Sequence, residues 1–166
     1  MNAPAERPVL IGPADFDEPT TLVYGIGNVG RQDDGLGWAF IDRLEAEGLC
    51  AHSELMRHYQ LHLEDADLIS DKSRVLFVDA SKEESLDSFR IERVRPSMDF
   101  SFTSHAMSVP TILATCQSCF QRAPEVYILA IRGYAWELEM GLSQGAKRNL
   151  DAAFDFFTQR PRHPFQ

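Results

Sequence analysis

Three residues stand out for the chemistry their types allow: Asp34, Asp79 and His105. Two carboxylates and one imidazole make a hard-to-borderline donor set for a divalent cation, and the imidazole suits Ni, Zn or Cu better than Mg or Ca. Three protein donors leave coordination positions open. The run Asp33-Asp34-Gly35 also has a plainer reading, as a solvated turn or a helix N-cap pair, because acids are favoured at the positive end of a helix dipole. Just upstream, Gly25-Ile26-Gly27-Asn28-Val29-Gly30 fits the Gly-x-Gly-x-x-Gly dinucleotide fingerprint, which nominates NAD or FAD. The third glycine does not open a helix, however, and two adjacent carboxylates would face the phosphates. A tight strand-to-helix turn with positive φ accounts for these glycines better.

Other arrangements carry less. His58 and His62 are spaced for one helix face, but no His-Glu-x-x-His surrounds them, so both read as surface or rim residues. No Gly-x-Ser-x-Gly supports a serine nucleophile. Cys116 and Cys119 form a single Cys-x-x-Cys without a second pair at zinc spacing; within Val109, Ile112, Leu113 and Phe120 at helical spacing, Cys116 reads as core. Three cysteines make a poor disulfide framework and are expected to be reduced thiols.

The residues of interest need elements to hold them. Thr21–Ile26 is a short apolar run closed by glycines, hence a buried strand, and Leu36, Phe40, Ile41 and Leu44 recur at helical spacing before Gly48. A weaker strand is expected over 51–59 and a short acidic helix over 63–70. Arg74 to Val78 is the clearest buried strand, ending at Asp79, and Phe89 to Val94 alternates as a strand with one exposed face. Residues 96–104 read as loop. Ser108 is placed to N-cap a helix from Val109 to Phe120, Val126 to Ile131 is a further strand, and Leu150, Ala153, Phe154 and Phe157 mark the last helix. Strands alternating with helices predict an α/β fold, a three-layer α/β/α sandwich with a mostly parallel twisted sheet of about five strands. One strand is expected to be antiparallel, with helices on both faces. Ligands of such sheets bind beyond the carboxyl ends of the strands, so the loops after Ile26, Val78 and Val94 are expected to bring Asp34, Asp79 and His105 to one rim.

A chain of 166 residues supports one core, so residues 21–166 are expected to form a single domain and 1–20, with three Pro and few bulky apolar residues, a flexible N-terminal arm. That arm lacks the basic start and apolar run of a secretory signal, and the longest apolar stretches are strand-sized. A cytoplasmic protein with no membrane partner is expected. The net charge of −9 without a Lys/Arg block disfavours nucleic acid, and a monomer is expected.

Leu22-Val23-Tyr24-Gly25-Ile26-Gly27-Asn28, then Asp33-Asp34-Gly35-Leu36-Gly37, then Val75-Leu76-Phe77-Val78-Asp79-Ala80, then Ser104-His105 with Pro110, resemble in order and spacing the hydrogenase maturation endopeptidases over roughly residues 21–157. The resemblance implies an endopeptidase that removes the C-terminal extension of a nickel-loaded nickel-iron hydrogenase large-subunit precursor. It puts the metal-contacting and catalytic positions on Asp34, Asp79 and His105, with Gly27, Asn28 and Asp33 as substrate contacts. The nickel, Ni(II), would arrive in the precursor, and Zn(II) or Cd(II) could fill the site in vitro. The held metal could polarise the scissile carbonyl or a bound water, or either carboxylate could serve as general base. Some relatives carry Glu where Asp34 stands, and many have Asp-Gly-Gly where this chain reads His58-Tyr59-Gln60-Leu61.

Two further readings belong to other classes: a nickel-sensing docking protein of the same fold that cuts nothing, and a dinucleotide-binding oxidoreductase. Under the endopeptidase reading Asp34→Ala, Asp79→Ala and His105→Ala should remove processing and leave the fold intact, with Asp33→Ala the milder change.

Overall fold

The computed structural model describes residues 9–98 and 107–159. Five strands, β1 (Thr21–Ile26), β2 (Glu54–His58), β3 (Arg74–Ser81), β4 (Phe89–Arg93) and β5 (Glu125–Arg132), form one sheet in the order β2-β1-β3-β5-β4. β1, β2, β3 and β5 are parallel, and β4 runs antiparallel to β5. The helices are α1 (Leu36–Ala46), α2 (Asp65–Ser70), α3 (Val109–Phe120) and α4 (Gln144–Thr158).

Successive strand residues point to opposite faces, and the core divides accordingly. Val23, Leu76, Val78, Leu129 and Ile131 pack against Phe40, Ile41 and Leu44 of α1 and Leu150, Phe154 and Phe157 of α4. Leu22, Tyr24, Val75, Phe77 and Val126 pack against Ala66 and Ile69 of α2 and Ile112, Leu113 and Cys116 of α3. The expected three-layer α/β/α sandwich with one antiparallel strand is therefore the observed one. Ser108 caps α3 as expected, its Oγ accepting from the Thr111 amide at 3.3 Å. Ser108→Ala should cost about 1 kcal/mol, visible as a shifted urea midpoint with unchanged m-value; no shift would show that Pro110 at the second helical position suffices to start the helix.

Three elements depart from expectation. Residues 9–20 are not an arm: Pro13–Phe16 forms a 3-10 turn, and Phe16 is fully buried, its ring 6.3 Å from Phe157 and edge-on to Tyr127. Burying such a ring contributes roughly 1.5–3 kcal/mol, enough to fix a short segment that Arg74 also holds through the Asp15 carbonyl at 3.0 Å. β3 continues past Asp79 to Ser81, pairing Asp79 with Ala130 of β5. The chain leaves β4 at the edge opposite the one expected. Because β4 is antiparallel, Val94 sits at the amino edge of the parallel strands, its amide bonding the Val126 carbonyl at 2.8 Å. The chain is back at the carboxyl edge by Met107, whose amide meets the Leu61 carbonyl at 3.5 Å.

Among the described residues no helix is long and apolar enough to cross a membrane. Cys116 lies in the core with its thiol directed at the Arg122 carbonyl, and Cys119 is exposed, as the core reading requires.

Candidate functional site

The chain passes from β1 to β2 on one side and reaches β3 on the other, so the sheet has its topological switch point between β1 and β3, where open α/β sheets bind ligands. The segment from Gly27 to Gly35 covers that point, and a Cβ on Gly37 would lie 2.4 Å from the Val78 carbonyl oxygen and 2.5 Å from that of Ile26. Only glycine lets the first turn of α1 rest directly on the ends of both strands. Gly27, at φ +137°, makes the turn out of β1 in a conformation other residues rarely adopt. Its amide bonds the His58 carbonyl of β2 at 3.0 Å.

These contacts bring Asp34 next to Asp79. Asp34 accepts the Asn28 amide at 2.9 Å, and the Asn28 side chain accepts the Gly30 amide at 2.8 Å. Asp79 shares the face of Phe77, the side on which α2 and α3 pack. Burial, followed by the negative charge of Asp34, pushes the Asp79 carboxyl up to about 7, against the opposing hydrogen bond from the Ala80 amide at 2.8 Å. A carboxyl whose ionisation is disfavoured by a neighbouring carboxylate is relieved by a divalent cation or a proton. His105 lies outside the described residues. Among the described residues no three His, Cys, Asp or Glu side chains gather as a metal-binding group.

Asp33 is not a substrate contact. It is fully buried, and its carboxylate accepts the Tyr134 amide at 2.7 Å, the Ala135 amide at 2.9 Å, the Ser143 amide at 2.7 Å and the Ser143 hydroxyl at 2.7 Å. Three donors converge on one carboxylate oxygen and one on the other, all from this chain, and with no exposure the group is turned away from a peptide. Burial alone would raise its pKa, but the hydrogen bonds from the Ser143 hydroxyl and the three amides outweigh burial and hold it below the usual carboxylate range. Those partners went unnoticed in the sequence. The one signal for them is Ser143 itself, which N-caps α4 by accepting the Ala146 amide, seven residues before Leu150, the first apolar position that marks the helix.

The histidines of the region are rim residues. His58 ends β2, exposed, its ring stacked on Tyr24 at 5.3 Å. His62 lies beyond the strand, so the pair does not share a helix face. Tyr59 stands 65% exposed against Trp38 at 5.3 Å, and Trp38 donates to the His58 carbonyl, an aromatic shelf beside Gly27. A dinucleotide fits poorly, because Asn28 and Asp34 oxygens already occupy the Gly30 and Asn28 amides that would cradle its phosphates.

No family model and no curated protein sequence matches the chain. Solved structures do share its fold. The hydrogenase maturating endopeptidase HybD from E. coli superposes with a TM-score of 0.63 at 17% identity, over 81% of this chain and 87% of that one. The hydrogenase maturation protease HycI from Thermococcus kodakarensis gives 0.66 at 16% identity, over 83% and 89%. A hydrogenase 2 maturation peptidase from a Thaumarchaeota archaeon gives 0.59 at 20% identity, over 81% and 93%. At such identities the likeness is one of fold, and the fold is that of the hydrogenase maturation endopeptidases.

Proposed function

We propose that this protein is an endopeptidase that removes the C-terminal extension of a nickel-loaded nickel-iron hydrogenase large-subunit precursor. The observation that carries the reading is the Asp34–Asp79 pair at the switch point between β1 and β3, on a fold shared with hydrogenase maturation proteases. Its donor chemistry suits a divalent cation: two carboxylates in mutual repulsion gain from a positive charge, and His105 is assigned as the third donor. The nickel is part of the substrate in this reading. Asp34 and Asp79 then serve as the reader of a correctly loaded precursor, and the metal they share with it would polarise the scissile carbonyl.

The remaining chemistry falls to this chain's own groups. Asp79 can serve instead as general base, with Asp34 and His105 left to meet the nickel: its carboxyl, pushed up to about 7, can take up or release a proton at working pH. The Asn28 amide holds Asp34 through a carboxylate oxygen, leaving its other oxygen without a hydrogen bond from that amide. The sequence expectation of Gly27 and Asn28 as substrate contacts stays part of the proposal, since both line the same rim.

The test is to incubate the purified protein with nickel-loaded and nickel-free precursor. The loaded form alone should shorten to mature size, and Asp34→Ala and His105→Ala should each abolish the cut while keeping a cooperative thermal transition. Binding of loaded precursor without cleavage would establish the docking reading instead, and equal cutting of both forms would exclude nickel as the recognised feature.

A further inference from the structure

Residues Gln32 and Asp33 are tied to the segment between β5 and α4 by more polar contacts than a turn requires. The Gln32 amide donates to the Glu139 carbonyl at 2.9 Å, the Gln32 side chain accepts the Glu137 amide at 3.0 Å, and the Asp33 amide donates to the Ala135 carbonyl at 3.0 Å. The four bonds to the Asp33 carboxylate add to these. Gln32 stands at φ 47°, ψ −115°, a backbone conformation that non-glycine residues hold only where the surroundings over-determine it. Apolar packing accounts for little of the arrangement: Leu142 rests against the core at the end of the tied segment, but Leu138 and Met140 are 77% and 71% exposed. The next residue in the chain is Asp34, whose carboxylate is held from the other side by the Asn28 amide.

We propose that Asp33 is a positioning residue: the buried latch it forms with Tyr134, Ala135 and Ser143 fixes the backbone that aims the Asp34 carboxylate at Asp79. The placement of Asp34 then depends on a segment more than 100 residues further along the chain. Only the activity arm of the test rests on the endopeptidase reading. The structural arm does not, because the Asn28 amide reports where the Asp34 carboxylate is.

The experiment compares Asp33→Asn, Ser143→Ala and Ser143→Thr with wild type by residue-resolved amide hydrogen exchange and by kcat and KM on nickel-loaded precursor. In Asp33→Asn, protection of the Asn28 amide should fall at least tenfold together with that of Tyr134, Ala135 and Ser143, while Leu76 and Ile128 in the sheet keep theirs. Ser143→Ala should show the same pattern more weakly, and it carries the test if Asp33→Asn does not fold. Ser143→Thr, which retains both the hydroxyl and the cap, should restore wild-type protection. The kcat should drop tenfold or more with KM within about twofold, the mark of a displaced reacting group. Loss of loop protection with Asn28 unchanged would overturn the proposal and reduce Asp33 to a loop anchor, as would an unchanged kcat in an enzyme that cuts. If wild type cuts nothing, the endopeptidase reading fails and the exchange pattern alone decides the positioning role.

Discussion

Asp33→Ala should lower the unfolding free energy by about 3–5 kcal/mol, because several buried donors lose their acceptor and water reaches only some of them. The cause is what the substitution leaves behind. Three backbone amides and one hydroxyl, those of Tyr134, Ala135 and Ser143, lose a shared acceptor inside a region with no exposure at Asp33. Each unsatisfied donor costs roughly 1–3 kcal/mol, less where water can enter. For a domain of this length, where 1 kcal/mol moves the midpoint by about 2–4 °C, the thermal transition should fall by roughly 6–20 °C. The loss should also depend on pH. The native carboxyl sits below its ordinary value, so its contribution is present above about pH 4, the unfolded value, and fades as pH falls through the lower native one. Urea titrations at pH 7 and pH 3 would show the gap between wild type and variant narrowing in acid. A loss under about 1 kcal/mol at pH 7 would mean that solvent replaces the carboxylate and that the latch does not hold the segment. In stability Asp33→Ala thus becomes the more severe of the acidic-pair substitutions, a reversal of the order that the sequence suggests for processing.

The reason for the reversal shows where a sequence is legible and where it is not. Asp33 and Asp34 are adjacent and identical in type, and nothing local separates them; their difference lies in partners 101 to 110 residues away. The elements with local signatures were readable: the apolar run of β3, the helical spacing of α1, the Ser108 cap, and the glycines that let α1 sit on Ile26 and Val78. The neighbouring carboxyls Asp34 and Asp79 followed from topology, because two parallel strands flanking a switch point end on one rim whatever their loops contain. The antiparallel strand at residues 89–93 was also readable from its one exposed face, yet its consequence, that Val94 points to the opposite edge, depends on pairing with β5 and not on its own residues. Residues 9–20 read as an arm in sequence because the two buried residues that fix them, Ile11 and Phe16, are too few and too widely spaced to set a period.

Asp79→Asn should stabilise the chelator-treated protein at pH 8 and disable it. In the native state the Asp79 carboxyl is pushed up to about 7, whereas in the unfolded chain it titrates near the ordinary value of about 3.9. Between these two values the native state keeps a proton that the unfolded state has released, so stability falls as pH rises through roughly 4 to 7 and stays low above. Three pKa steps correspond to a ceiling of about 4 kcal/mol, which partial access of water to the carboxyl reduces. Asparagine carries no charge at any of these pH values and removes both the burial penalty and the repulsion from Asp34. The variant should therefore exceed wild type by about 2–4 kcal/mol at pH 8 and match it at pH 4 in urea titrations. The same substitution withdraws a carboxyl poised to exchange a proton near neutrality, and cleavage of nickel-loaded precursor should fall by on the order of 10²–10⁴-fold. Stability gained where activity is lost is the signature of a group kept in place for function. A variant less stable than wild type at pH 8 would show that Asp79 is held by favourable contacts, and retained cleavage would move the proton transfer to Asp34 or His105.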